Sequence, residues 1–335
     1  MPFQKTQPAY QSLKAIFAEK TTPVIAWVGA GLSASAGLPS WKKLIETLID
    51  AAKQKIKTIN DPTAKGLLKT AQDKYRANEY WLVFQLLEQV LGGTTYQSEI
   101  RRLLGVGSSA QIPPAYTLIW KAGISGLVNM NLDPLAARAY SNAFPGTDIA
   151  SFSGQQARNL MSVLQRNKRF IANVHGILED SSTWVFTNAK LKPLLADAGY
   201  RQFVNTCLTA RTILFLGITV DDIAVRDHFE RLAAAGTSGI EHFWITDRND
   251  ALTDSWAEDL SIRVIRYQSA GEDHNELIEC LTDLSSAQPS KDVNLTPVAF
   301  SGSRAEGLLP PPDELVAMPL EQVRAQLNAK ALEIL

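Results

Sequence analysis

The chain has 335 residues, 45% of them hydrophobic and 20% charged, the profile of a globular protein long enough for one large or two modest domains. With 33 basic against 34 acidic residues the formal net charge is -1, which leaves no electrostatic footprint for nucleic acid or an anionic membrane surface. No apolar run approaches the roughly 18–20 residues of a membrane-spanning helix, and Met1-Pro2-Phe3-Gln4-Lys5 leads into no apolar signal-peptide core; a cytoplasmic location is the expectation.

In chain order, a short helix is predicted over 10–20, then a compact apolar run, Pro23-Val24-Ile25-Ala26-Trp27-Val28, stopped by Gly29-Ala30-Gly31. An apolar run ending in glycines reads as a buried parallel strand meeting its loop. Ser40 is placed to cap a helix that starts at Trp41. From 58 to 112 the text is helical (64–75, 80–91 and 97–104), with turns near Asn78 and at Gly92-Gly93. Strands are predicted at 125–130, 148–152, 170–174, 184–187, 212–216, 242–246 and 263–267. Helices are predicted from Pro134, around 160–164, and over 191–210, 223–235, 250–260 and 275–285.

This alternation predicts an α/β fold: a Rossmann-like, doubly wound, mostly parallel sheet formed by 1–57 and 113–287, with 58–112 as a helical insertion. Residues 288–335, with Pro289, Pro297 and Pro310-Pro311-Pro312, read as a Pro-rich arm followed by a terminal helix, either a contact surface for an oligomer or partner or a simple tail. Cys207 and Cys280 stand far apart in helix-like text, and His175, His228, His242 and His274 show no ligand spacing. No zinc ribbon or other metal site is expected.

Chemistry concentrates at the predicted strand ends. Glycines after the first strand let backbone approach a pyrophosphate, and the next helix N-terminus offers free N–H groups. Gly29, Gly31 and Ala34 satisfy a loose dinucleotide fingerprint, although a tight turn of small residues fits them too. A dehydrogenase would carry an acidic residue at the end of a second strand roughly 20 positions on; here the text stays helical past Asp50. Asn131 and Asp133 stand where a strand meets a helix, suited to holding a ribose hydroxyl, a water or a carboxamide, or to capping the helix. His175 sits at a strand end before Gly176, and its imidazole suits proton transfer near neutrality. His228, His242 and His274 read as structural residues at element ends. Trp27 reads as core, Trp41 as packing for the first helix, and Tyr80-Trp81 first as core of the insertion, with lining of the ligand pocket as the second reading.

The string from Gly29 to Ser33, with Gly37-Leu38-Pro39 behind it, resembles the opening motif of the sirtuin family. Asn131-Leu132-Asp133, Val174-His175-Gly176 and Phe215-Leu216-Gly217-Ile218-Thr219 are similar to the family's later motifs, in the same order, over residues 23 to about 285. Family deacylases carry Asp-Phe-Arg where this chain has Ser40-Trp41-Lys42, and that ending looks like the sirtuin-like branch of bacterial anti-phage NADases. The resemblance implies cleavage of the nicotinamide–ribose bond of NAD, with NAD as substrate and no further cofactor. It implies Asn131, His175 and Asp133 as the catalytic set. It implies Gly29, Ala30, Gly31, Ser33, Gly37, Gly217 and Thr219, with Asn131 and Asp133, as the residues that hold NAD. NAD-dependent deacylation is the nearest alternative, weakened by the lack of cysteines for the deacylases' zinc module; a non-catalytic NAD or ADP-ribose sensor is the next. The same resemblance implies an anti-phage effector that depletes NAD, works as a homo-oligomer, and answers to a defence-system partner: an ATPase, an Argonaute or a covalently linked sensor.

Overall fold

In the computed structural model, residues 2–218, 240–271 and 273–287 are described. Seven strands form one all-parallel sheet: β1 (Val24–Val28), β2 (Gly126–Asn129), β3 (Ala150–Ser153), β4 (Phe170–Asn173), β5 (Thr212–Leu216), β6 (His242–Thr246) and β7 (Ile262–Arg266). Their order is β3-β4-β2-β1-β5-β6-β7. The chain leaves β1 toward β2 on one side and later returns to lay β5 on the other. Between β1 and β5 the direction of winding reverses, the switch point at whose carboxyl edge open α/β sheets bind their ligands. Register places Val28 opposite Asn129 on one side and Leu216 on the other, so the loops of interest leave the same edge.

Central strands are buried on both faces because helices cover both. Ala26, Val28, Leu214 and Leu216 face one apolar layer. It is built from α1 (Pro8–Glu19), α3 (Trp41–Ile59), α4 (Pro62–Arg76), α5 (Tyr80–Leu91), α6 (Gly93–Leu104), α7 (Pro114–Lys121), α8 (Leu135–Ala143) and, near the C-terminal end of the described chain, α13 (Asn275–Ser286). The short α2 (Ala30–Ser33) lies in the loop after β1. Ile25, Trp27, Ile213 and Phe215 face the opposite layer, from α9 (Ala157–Gln165), α10 (Asn188–Ala196), α11 (Ala198–Ala210) and α12 (Ala251–Asp259). Cys280 lies in the first layer and Cys207 in the second, so the sheet separates the two thiols. Among the described residues, no helix is long and apolar enough to cross a membrane.

Ser40 caps α3 as expected, its hydroxyl accepting from the Lys43 N–H at 3.2 Å. Three local expectations change. The run 184–187 is not a strand: Gly176, at φ 103°, turns the chain sharply after β4, and Ser181–Thr183 form a 3₁₀ turn. Trp184, Val185 and Phe186 then bury their side chains from a loop, with the Trp184 indole N–H donating to the Ile177 carbonyl at 2.7 Å. A Cβ on residue 176 would drive into the Thr183 carbonyl, so only glycine fits there. The predicted helix 191–210 is two helices. Asp197 adopts extended backbone and accepts the Tyr200 N–H at 2.7 Å, starting a new helix, while Pro193 removes a donor from the one before. Helix α7 was not expected, although Pro114 at its first turn and Tyr116, Ile119 and Trp120 on its buried side are standard helix signals. The expected helix 223–235, with His228, lies outside the described residues, as do Thr219 and the arm from 288 onward.

Candidate functional site

The loop after β1 is held against the loop after β5. Gly29 N–H donates to Leu216 O and Gly31 N–H to Gly217 O, both at 3.0 Å. A Cβ on Gly29 would lie 2.6 Å from Gly217 O, and Gly217 itself has φ 61°. Backbone approaches backbone here more closely than any side chain permits. The result is a polypeptide ledge at the switch point of the sheet.

Above this ledge lies a cavity of about 680 Å³, within the range of nucleotide and cofactor sites. It runs across the carboxyl ends of the strands, from Met130 after β2, past Gly29, Ala30, Gly31 and Gly217, to Thr246, Asp247 and Tyr267 at the ends of β6 and β7. Those ends span four strand spacings, about 19 Å. Trp41, Tyr80 and Trp81 form a wall at the Met130 end, so Trp41, read from sequence as helix packing, also faces the cavity, and Tyr80 and Trp81 take the lining place that was their second reading.

Beneath the ledge, the structure brings Ser33, Asn131 and Asp133 together. Asn131 is 7% exposed and Asp133 6%. Asn131 Nδ2 reaches Gly29 O at 3.0 Å, Tyr116 Oη at 3.0 Å and Ser33 Oγ at 3.2 Å. Ser33 donates its one proton to Asp133 Oδ2 at 2.9 Å, which leaves Tyr116 as donor in its 2.9 Å bond to Ser33. The other carboxylate oxygen accepts the Leu135 N–H at 3.0 Å. Asp133 therefore holds the first N–H of α8, close to the capping role its sequence position allowed, and through Ser33 it also ties down the glycine loop. Burial pushes its carboxyl up, and the Leu135 N–H and Ser33 hydroxyl offset part of that. Burial, with the Asp133 charge behind it, also keeps the Tyr116 phenol protonated.

The network continues along the strand ends. Asn129 Oδ1 accepts the Asn131 N–H at 3.1 Å, Asn129 Nδ2 donates to Asn173 at 3.0 Å, and Asn173 Nδ2 donates to Ser151 Oγ at 2.9 Å. Polar residues closing apolar runs at 129 and 173 were the available signal for this relay. Tyr116 had none, since its partners lie far off in sequence.

His175 follows β4 and is 1% exposed. Its Nδ1 sits 3.1 Å from the Met130 carbonyl. Only a protonated Nδ1 satisfies that acceptor, so Nε2 carries the lone pair. Nε2 is buried and finds no hydrogen-bond partner among the described residues. Burial lowers the imidazole pKa to about 4, against a smaller upward pull from the Met130 carbonyl. The ring is covered by Trp81, edge-on at 5.5 Å, and Trp41 at 6.1 Å, with Phe84 and Phe186 behind Trp41.

Of the remaining expected residues, Gly37 closes a 3₁₀ turn at φ 78° and is not among those lining the cavity. His242 accepts the Ile213 N–H at 3.2 Å, a structural role. His274 lines the cavity, with Nδ1 2.9 Å from Tyr267 Oη, which its reading as a helix-start residue did not anticipate.

No curated protein matches this chain. Residues 125–265 match the family model of the SIR2-like domain, a stretch that runs from β2 to β7 and contains Asn131, Asp133, His175 and Gly217. An all-parallel sheet wound in both directions from β1, a ledge of glycines at its switch point and this match over residues 125–265 together make the chain similar to SIR2-like domains, a likeness that fits NAD-related activity.

Proposed function

We propose that the protein hydrolyses NAD, breaking the nicotinamide–ribose bond to give nicotinamide and ADP-ribose. The observation that carries this reading is one continuous cavity of dinucleotide length, laid over a backbone ledge, with the neutral imidazole of His175 behind its wall at one end. In NAD the nicotinamide is already cationic, so it departs without protonation. The enzyme's task is to stabilise a ribose carrying positive charge and to deliver water to it.

The Gly29–Gly31 loop and Gly217 hold the diphosphate. Nicotinamide and its ribose lie toward Met130, between the Trp41 and Trp81 rings, which exclude bulk water. His175 Nε2 takes a proton from the attacking water or a ribose hydroxyl once those rings shift to uncover it. With both carboxylate oxygens engaged, Asp133 acts as a positioning residue: through Ser33 and Asn131 it fixes the Gly29 carbonyl and the floor of the site. An effector role in anti-phage defence, with oligomeric assembly and a partner governing when NAD is consumed, belongs to the same proposal and rests on the resemblance of the motifs.

The test is incubation of the full chain with NAD, alone and with an acyl-lysine peptide, while nicotinamide and ADP-ribose are quantified. Peptide-independent release of both products is expected. His175→Ala should lower the rate by roughly 100-fold or more, the usual worth of a general base, with ADP-ribose binding changed by no more than a few-fold. Release that requires the peptide would replace this reading with deacylation. Unchanged turnover in His175→Ala would remove the imidazole from the mechanism.

A further inference from the structure

The end of the cavity opposite the Trp41–Trp81 wall is built by two elements at the edge of the sheet. β7 is the last strand in the order. Tyr267, the residue after it, lines the cavity together with His274, Leu277 and Ile278 from the start of α13. Tyr267 and His274 are bonded to each other, and the Gln268 N–H donates to Glu276 at 2.8 Å. The end of β7 and the first turn of α13 therefore stand as one unit.

The free side of an edge strand carries N–H and C=O groups that some other part of the chain must cover. Gln7 does so at Arg266 as a strand residue would: its side-chain amide accepts the Arg266 N–H and donates to the Arg266 carbonyl, both at 2.8 Å. Gln7 precedes Pro8 and has the extended backbone that a following proline imposes, with φ -59° and ψ 127°. The residues before it run onto α13. Phe3 is 3% exposed and meets Tyr10 edge-on at 4.9 Å, and its N–H donates to Glu279 at 2.9 Å. Farther along α13, Asp283 accepts from Lys5 at 2.8 Å, from Lys14 at 2.6 Å and from Tyr10.

We propose that residues 3–7 are a strap coupled to the cavity: a bound ligand tightens the strap, and release of the strap weakens the ligand. This rests on the dinucleotide reading above, with ADP-ribose as the ligand. The placing of the strap's two grips carries the inference. Gln7 holds Arg266, the neighbour in sequence of Tyr267, and Phe3 holds Glu279, the neighbour of Ile278. Each grip is one residue away from a side chain that lines the cavity. A shift of either element moves the wall, and a ligand that fits the wall in its strapped position opposes the shift. Linkage makes the effect reciprocal: the factor by which the strap raises affinity is the factor by which the ligand holds the strap down. The Lys5–Asp283 pair lies toward solvent and contributes little to this. The buried Phe3 ring and the paired Gln7 amide are the parts that act.

Hydrogen exchange at the Phe3 amide of the full chain is followed with and without saturating ADP-ribose. Binding of ADP-ribose to the wild type, Gln7→Ala, Phe3→Ala and Lys5→Ala is measured by calorimetry. Exchange at Phe3, which does not line the cavity, should slow by at least about fivefold with ligand. Gln7→Ala and Phe3→Ala should weaken binding by a similar factor while keeping the far-UV circular dichroism of the wild type, and Lys5→Ala should change it by less than about twofold. Exchange at Phe3 that is indifferent to ADP-ribose overturns the strap, and this wild-type measurement decides even where a variant fails to fold. Unchanged affinity in both Gln7→Ala and Phe3→Ala overturns it too. Binding of ADP-ribose with neither effect keeps the dinucleotide reading and removes this inference; no binding of ADP-ribose removes both.

Discussion

His175 and His242 are both buried, and burial lowers each imidazole to about 4. In the unfolded chain each titrates near its ordinary value of about 6.5. The unfolded state therefore takes up protons as pH falls through that value while the folded state does not, and the stability each neutral ring contributes is whole above pH 6.5 and lost toward pH 4. Between pH 7.5 and pH 5 the loss should be roughly 2 kcal/mol per histidine. Urea denaturation at the two pH values measures it, and His242→Gln, remote from the cavity, should remove about half the difference. A pH-independent midpoint over that window would mean the rings are not buried neutral. At this scale the sequence was informative where a motif marks the end of a strand, as at Asn131, Asp133 and His175, which the structure places just after β2 and β4. Tyr116 was not legible, because what makes it matter is partners on other elements. The same holds for His274, whose position beside Tyr267 depends on β7 and α13 lying together.

Gly176 is where an element-level argument can be broken by one methyl group. It redirects the chain after β4 so that residues 177–187 fold back, with Val185 N–H bonding the His175 carbonyl at 2.9 Å and Phe186 reaching Trp41. Gly176→Ala meets both a positive φ and the Thr183 carbonyl. It should cost roughly 2 kcal/mol or more, read as a shifted denaturation midpoint with retained far-UV circular dichroism. An unchanged midpoint would show that the loop yields freely. The same segment explains a misreading: Trp184-Val185-Phe186 has the composition of a strand because it is buried, and burial alone does not reveal whether a backbone is paired. Strands such as His242–Thr246 were legible because burial and pairing coincide there. At Asp197 a local cap overrode a continuous helical pattern, a contest of small energies that periodicity cannot settle.

For the molecule as a whole, strand–helix alternation made the parallel sheet legible, but not its order, which depends on which crossovers pass to which side of β1. That order creates the crevice, and with it a prediction. A ligand that bridges the loops of β1, β5 and β6 should stabilise the fold by mass action: ADP-ribose at 100 times its Kd adds about 2.7 kcal/mol, a melting shift of several degrees for a unit of this size. Nicotinamide alone, confined to one end, should give less, and no shift with saturating ADP-ribose would argue that the cavity does not hold it. The same strand order bears on how the protein is made. Val24–Val28, the central strand, is synthesised well before its second neighbour, Thr212–Leu216, which follows roughly 190 residues later. At 5–20 residues per second that interval is roughly 10–40 s, during which a wholly apolar segment has at most one flank covered. Over that interval a strand that ends fully buried stays open to pairing and aggregation, so it is the part of the newborn chain most in need of shelter.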